Sequence, residues 1–172
     1  MEKKRGQVWV ETVIYTLIGL AIMGLILAMA KPKIDQKKDE IVIEQSIEAM
    51  RNIDGKIDEI KNIAGNRRSI ELKITKGSFV IDMDDNALLW IIESSYAYSE
   101  PGVSVPLGDL NVTTSESSPW EVVLETDYSV EVRYSEQSTG TKEFGSASAP
   151  YKLIFESSKD SDGNIVIDIW EA

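Results

Sequence analysis

The chain has 172 residues, no cysteine and no histidine, and a formal net charge of −11. Without cysteine it can form no disulfide, thiolate nucleophile or cysteine metal cluster, and without histidine it lacks the commonest general base and metal ligand. The acidic excess lies almost wholly after residue 33, and a surface of that sign repels nucleic-acid phosphates. We therefore expect no catalytic residue, no cofactor, no metal and no nucleic-acid partner.

A basic cluster, Lys3-Lys4-Arg5, precedes an uncharged and largely apolar stretch that runs from Thr12 to Ala30. At about 1.5 Å per residue in a helix, this stretch is roughly 30 Å long, which matches the hydrocarbon core of a bilayer. The positive-inside rule places the basic end in the cytoplasm and the residues after Lys31 outside the cell. Residues 7–31 are thus predicted to form a single membrane-spanning helix.

The next segment, residues 32–66, has the periodicity of an amphipathic helix. Isoleucine or methionine recurs at steps of three or four, which gives one apolar stripe along a helix: Ile43, Ile47, Met50, Ile53, Ile57, Ile60 and Ile63. Pro32 removes one backbone hydrogen bond and is expected to kink the rod without ending it. Gly65-Asn66 is the predicted stop of this helical extension.

From Arg67 onward the apolar period changes to two, which is typical of half-buried strands. Turn signals separate the predicted strands, among them Gly108-Asp109 and Asp162-Gly163. The stretch Ala87–Ser95 fits a buried strand or a short helix, and we favour the strand. Six to eight strands are expected in residues 67–172. The predicted fold class is α+β: a long hydrophobic helix followed by an antiparallel β-sandwich-like head.

Glu11 is a carboxylate at the point where the apolar stretch begins. An ionised carboxylate in hydrocarbon costs roughly 2.5 to 3.5 kcal/mol on insertion scales. It can lie in the headgroup layer at little cost. It can also be neutralised: a cut between Gly6 and Gln7 would create a cationic α-amine four residues earlier, and the amine of one subunit could pair with Glu11 of the next. A paired carboxylate is tolerated in a dry core, whereas a lone one is costly.

At these residues the chain resembles the archaeal type IV pilins, which carry a class III signal peptide. The matching features are Lys3-Lys4-Arg5-Gly6, then Gln7, with Glu11 as the fifth residue after the cut. The resemblance implies that a prepilin peptidase removes residues 1–6 as a leader and that Gly6 and Gln7 flank the cleavage site. It also implies that pilus assembly machinery packs the subunits by residues 7–31 into an extracellular filament, with Glu11 as the pairing carboxylate.

Two other kinds of processing are compatible with the same segment. Ala28-Met29-Ala30 satisfies the rule for a secretory signal, so cleavage there would release a secreted β-domain binding protein that begins at Lys31. The chain could also stay uncleaved as a permanently anchored surface module. The apolar stretch exceeds the usual 7 to 15 residues of a secretory signal, which favours the pilin reading. That reading predicts a structural subunit, not an enzyme, that resides in the cell membrane before assembly and on the cell surface afterwards.

The remaining motifs are weaker. Asn111-Val112-Thr113 has the sequence pattern of an N-glycosylation site. Asn111 is a candidate for glycosylation because the head is predicted to be extracellular. Asp160 to Asn164 resembles the start of a calcium loop, but its glycine is at the fourth position and no glutamate is at the twelfth, so we expect a polar turn. Asp82, Asp84, Asp85 and Asn86 are interpreted as a solvated strand end, and Trp90, Trp120 and Trp170 as core aromatics.

Overall fold

The computed structural model describes the backbone of residues 3–172 and the side chains of residues 9–172. Met1 and Glu2 of the predicted leader, and the side chain of Gln7 at the predicted cut, lie outside what the structure describes. The chain divides into two compact units, residues 1–38 and residues 39–172. The division therefore falls 28 residues before the predicted start of the head at residue 67, because the second half of the helix belongs to the head.

One helix, α1, runs from Lys3 to Ile60 and contains Pro32. In the first unit, every residue from Trp9 to Met29 is exposed. This part of α1 consists mainly of leucine, isoleucine, methionine and alanine, which favour a helix or are tolerated in one. The expected continuity of the helix through Pro32 is therefore observed, whereas a kink at that residue stays a prediction.

In the second unit, α1 buries the predicted apolar stripe in the head. The six stripe residues from Ile43 to Ile60 are each no more than 6 % exposed. Ile63 differs and is 59 % exposed. The helix ends at Ile60, before the predicted stop at Gly65-Asn66, so Ile63 lies in a turn and has left the helical face that points to the core.

Ten strands follow the helix: β1 (Arg67–Leu72), β2 (Ser78–Asp82), β3 (Ala87–Ser94), β4 (Ser104–Leu107), β5 (Leu110–Ser115), β6 (Trp120–Asp127), β7 (Glu131–Tyr134), β8 (Thr141–Gly145), β9 (Tyr151–Lys159) and β10 (Ile165–Glu171). They form a four-stranded sheet in the order β1-β9-β10-β7 and a six-stranded sheet in the order β4-β5-β6-β3-β2-β8. The α+β class with a sandwich-like head is thus confirmed.

Strand pairing is antiparallel among the described strands except between β10 and β7, which run parallel. The exception arises because β7 and β10 are joined through β8 and β9, not by a hairpin, so no tight turn fixes their relative direction. The ambiguous stretch at residue 87 is a strand, β3, in the middle of the six-stranded sheet.

The core of the second unit lies between the stripe of α1 and the inner faces of the sheets. Its aromatic centre is Phe79, which meets the edge of Trp90 at 6.0 Å between ring centroids and lies 6.4 Å from Phe144. Trp90 is 2 % exposed and is a core residue as expected. Trp120 and Trp170 are only half-buried; Trp170 lies on the outer face of the four-stranded sheet, under the guanidinium of Arg67 at 4.9 Å.

Candidate functional site

The exposed apolar part of α1 is the most unusual feature of the described chain. Its large apolar side chains are between 39 % and 73 % exposed, for example Trp9 at 73 %, Leu25 at 63 % and Met29 at 69 %. Soluble monomers rarely leave so much contiguous apolar surface in water. By length and composition this helix can cross a membrane, so the structure is compatible with membrane anchoring.

Glu11 stands at the start of an apolar stripe on this helix. Ile14, Tyr15 and Ile18 follow at steps of three, four and seven residues and so share its face, and they are 48 %, 71 % and 50 % exposed. Glu11 itself is exposed. Between Trp9 and Ala30 it is the only charged side chain in the sequence. The stripe therefore offers one carboxylate, the phenol of Tyr15 and otherwise apolar groups to whatever covers it.

A second polar side chain of this segment, Thr16, is compatible with an apolar environment. The Thr16 hydroxyl donates a hydrogen bond of 2.8 Å to the backbone carbonyl of Thr12 within the helix. A hydroxyl that is satisfied by its own helix can enter hydrocarbon or a helix bundle without a further partner. Glu11 differs, because an ionised carboxylate carries a charge and can accept hydrogen bonds but not donate them.

The predicted cut between Gly6 and Gln7 lies on the backbone of α1. The four residue steps from Gln7 to Glu11 correspond to about 6 Å along a helix axis. If Gln7 is the mature terminus, its α-amine and the carboxylate of Glu11 would stand about one helical turn apart on one subunit. A neighbour that is shifted along the axis by the same amount would then bring the two groups together.

Asn111 lies on β5, opposite Pro106 of β4 and Glu125 of β6. It is half-buried, and it lines a cavity of about 460 Å³ together with Asp109 and Asp127. Leu110 and Val112, on either side, are buried, so Asn111 points to the outer face of the sheet. The structure thus places the sequon at an outward position in a strand and not at the tip of a loop.

The same cavity is lined by Asp54 and Asp58 of α1 and by Tyr128. Burial raises the pKa of Asp54, and the neighbouring carboxylates Asp58 and Asp109 raise it further. Burial likewise raises the pKa of the Tyr128 phenol, with an added contribution from the charge of Asp54. Lys61 forms an ion pair with Asp58 at 2.5 Å and offsets part of this negative charge.

The two other acidic clusters are turn elements. The Asp160 carboxylate accepts hydrogen bonds from the backbone N–H groups of Asp162 at 2.9 Å and Asn164 at 2.8 Å. At the end of β2, Asp82 accepts bonds from the backbone of Asp84 and Asp85 at 3.0 and 3.2 Å. These carboxylate oxygens already cap local backbone donors, which is the usual role of aspartate in turns.

Asn86 completes the second turn. Its backbone adopts a φ of 54°, and its side-chain oxygen accepts a hydrogen bond of 2.9 Å from the backbone N–H of Val132. Asparagine tolerates this left-handed conformation better than most residues and can therefore close the β2–β3 turn. Its side chain also contacts the start of β7 through the bond from Val132.

Sequence reasoning missed one surface. On the outer face of the six-stranded sheet, Val80, Leu89, Ile91 and Val123 are half-buried apolar residues where polar ones are expected. A signal was present in the sequence: β3 reads ALLWIIES and β6 reads WEVVLETD, both with adjacent apolar residues instead of alternation. That pattern fits a strand with apolar side chains on both faces, but the period alone does not distinguish it from a fully buried segment.

No family model, curated protein or solved structure matches this chain. The resemblance to pilins thus stays a prediction from the residues quoted above.

Proposed function

We propose that the chain is a structural, non-enzymatic, pilin-like subunit that assembles through its N-terminal helix into an extracellular filament of the type IV pilus kind. The observation that carries this proposal is the combination of Glu11 with an exposed apolar helix. Both follow a short basic segment, Lys3-Lys4-Arg5, that ends in Gly6. A membrane anchor alone needs the apolar helix but not a carboxylate on its face. A filament core needs both, if the carboxylate has a partner.

The energetics favour an exchange of lipid for neighbouring helices. Transfer of the apolar stretch from lipid into water would cost about 25 cal/mol for each Å² exposed, which is prohibitive for a whole spanning helix. The cost largely disappears if the side chains from Trp9 to Met29 pack against the same segment of other copies as each subunit leaves the bilayer. Their exposure in the isolated chain supports this reading.

Removal of residues 1–6 is a condition for such packing. Lys3, Lys4 and Arg5 would otherwise place three permanent cations in the bundle. Their loss, together with Glu2, leaves 15 basic and 28 acidic side chains and a net charge of −13 in the mature chain. The prepilin peptidase and the assembly machinery are the partners that this proposal requires. The subunit would reside in the cell membrane, with its N-terminus in the cytoplasm, until assembly moves it to the cell surface.

The mature N-terminus tests the proposal directly. Sequencing and intact-mass measurement of native material should find Gln7 as the first residue, and electron microscopy should find filaments that contain the protein. A terminus at Lys31 would show a secreted β-domain protein instead, and an intact Met1 would show a permanently anchored one. Gly6→Leu should block processing, so a processed product from that variant would place the cut elsewhere.

The role of Glu11 has its own test. Glu11→Ala should insert into membranes and be processed normally, yet build few or no filaments, because the amine of the neighbouring subunit loses its partner. Glu44→Ala is the matched control, since Glu44 is exposed on the same helix outside the apolar segment. Filaments in normal yield from Glu11→Ala would contradict the pairing.

A further inference from the structure

A patch of four apolar side chains lies on the outer face of the six-stranded sheet. Along β2, β3 and β6 the residues that enter the core alternate with Val80, Leu89, Ile91 and Val123, which therefore point away from it. The strand register sets Val80 opposite Leu89 and Ile91 opposite Val123, so the four side chains are neighbours. We call these four residues the outer patch.

Carboxylates surround the outer patch. Glu143 lies opposite Val80, and Glu125 lies opposite Leu89. Glu93 and Glu121 are directly opposite each other on adjacent strands. Two like charges in that position repel and destabilise the strand pair unless a cation joins them.

No cation on this face relieves the repulsion. By strand alternation, the outward positions of the six described strands of this sheet hold no lysine and no arginine. Burial raises the pKa of Glu125, and the charges of Asp127, Asp85 and Asp82 raise it further. An apolar patch with an acidic rim fits a partner that combines lysine or arginine with an apolar side chain.

The chain itself carries such a segment. Residues 1–38 hold seven of the 18 basic and three of the 29 acidic side chains, which leaves 11 basic and 26 acidic for residues 39–172. Four of those seven basic residues follow the apolar stretch within two helical turns, and all four are exposed: Lys31, Lys33, Lys37 and Lys38. Ile34, among them, is 53 % exposed.

The second unit is less suited to the role, because its 26 acidic side chains outnumber its 11 basic ones. A contact between two heads would thus bring together two surfaces that are both strongly acidic. Charge complementarity favours the lysine-rich segment over a second head as the occupant.

We infer that the outer patch and its acidic rim dock the lysine-rich segment, residues 31–38, of a neighbouring copy of the chain. Ile34 of the neighbour would pack on Ile91 and Val123, and its lysines would contact Glu93 and Glu121. This inference rests on the proposed function, because the filament is what brings copies side by side. It adds a second contact between subunits, formed outside the apolar core.

The absence of cysteine from the sequence permits a direct test. Two full-length variants with tags of different size, Ile34→Cys and Ile91→Cys, are produced together, and their filaments are oxidised. A disulfide requires Cα atoms closer than about 7 Å, so the mixed dimer should form only if the two sites meet. Ile34→Cys with Ile154→Cys is the control, because Ile154 lies on the outer face of the other sheet.

The acidic rim is tested in the same assay. The triple variant Glu93→Gln, Glu121→Gln, Glu125→Gln should lower the yield of the mixed dimer per filament by about 3-fold or more, since each exposed pair contributes about 1.4- to 5-fold. The control with equal loss of charge is Glu71→Gln, Glu136→Gln, Glu171→Gln, whose residues are exposed and lie on or directly after strands of the other sheet.

The outcomes separate the two proposals. Filaments that form normally and give no mixed dimer would overturn the docking inference and leave the proposed function standing. A dimer yield that is equal in the rim variant and its control would also overturn it, because charge would then play no part. If the unaltered chain makes no filaments at all, both proposals fail together.

Discussion

Asp39 of α1 accepts two hydrogen bonds from Ser95 at the end of β3: from the backbone N–H at 2.6 Å and from the hydroxyl at 2.7 Å. The other oxygen of the same carboxylate pairs with the ammonium of Lys76, in the β1–β2 turn. Asp39 is the first residue of the second unit and is 9 % exposed. It therefore ties the first helical residue of the second unit to the end of β3 and to the β1–β2 turn.

Asp39→Ala should lower the free energy of unfolding of the head by about 1.5 to 3 kcal/mol, the usual range for hydrogen bonds to a charged group. The substitution leaves the backbone N–H of Ser95 without its acceptor and Lys76 without its counter-ion. Urea unfolding of the full chain in detergent, followed by near-ultraviolet circular dichroism of the packed aromatics, measures it. Glu44→Ala, an exposed change on the same helix, should stay within about 0.5 kcal/mol of the unaltered chain.

Acid should weaken the head through the same carboxylate. Burial alone would raise the pKa of Asp39, but the bonds from Lys76 and Ser95 outweigh burial and hold its pKa below the ordinary value. A lowered folded pKa means that the stabilisation is complete above the unfolded pKa, about 3.9, and is lost as the pH falls through the folded value. Urea midpoints of unfolding, measured from pH 5 down to pH 2, should thus fall less in Asp39→Asn than in the unaltered chain. An identical fall in both proteins would exclude this origin.

The repetitive parts of the fold were predictable from the sequence. The steps of three and four from Ile43 to Ile60 reveal a buried helical stripe because a helix of fixed period must present those residues on one face. The uncharged run from Thr12 to Ala30 can be recognised as a candidate membrane-spanning segment by its length and composition. Glu11 stands out as a candidate for assembly because charge is rare in such a run.

The features that depend on distant partners were not predictable. Asp39 looks like any solvated acid on a helix, and only the fold brings Lys76 and Ser95 to it. Ile63 continues the sequence stripe but is exposed, because tertiary structure ends the helix at Ile60. The outer patch was missed since a strand with two apolar faces cannot be told from a buried segment by its period alone.

Asp54→Asn should stabilise the head at neutral pH. The pKa of Asp54 is raised by burial and by Asp58, which lies four residues later on the same helix. A raised folded pKa means that the ionised group destabilises the head above that pKa and that the penalty disappears as the pH falls through it. Removal of one charge of an i,i+4 pair of like sign should add about 0.2 to 0.5 kcal/mol at pH 7. Urea midpoints at pH 7 and pH 4 measure it, and an equal gain at both would contradict the electrostatic origin.

Asn111 should carry a glycan in native material. No other asparagine in the sequence begins an Asn-x-Ser/Thr pattern, so this one site would account for the whole mass of N-linked glycan. The intact mass of native subunits should exceed that of the polypeptide from Gln7 to Ala172, and Asn111→Gln should abolish the excess. Thr113→Val should abolish it too while Thr113→Ser keeps it, because the serine preserves the sequon. An excess mass that survives Asn111→Gln would place the modification elsewhere.

Gly77 and Gly55 should respond in opposite ways to alanine. Gly77 has a φ of +79°, and a Cβ there would lie 2.1 Å from the backbone carbonyl oxygen of Ile91. Backbone strain and the clash with a central strand together should destabilise the head by more than about 1 kcal/mol. Gly55 is exposed on α1, and a Cβ there would meet nothing within 4 Å. Gly55→Ala should therefore stabilise the helix by about 0.5 to 1 kcal/mol. Urea unfolding of the two variants side by side measures both effects, and a Gly77→Ala variant as stable as the unaltered chain would show that the β1–β2 turn can move away from β3.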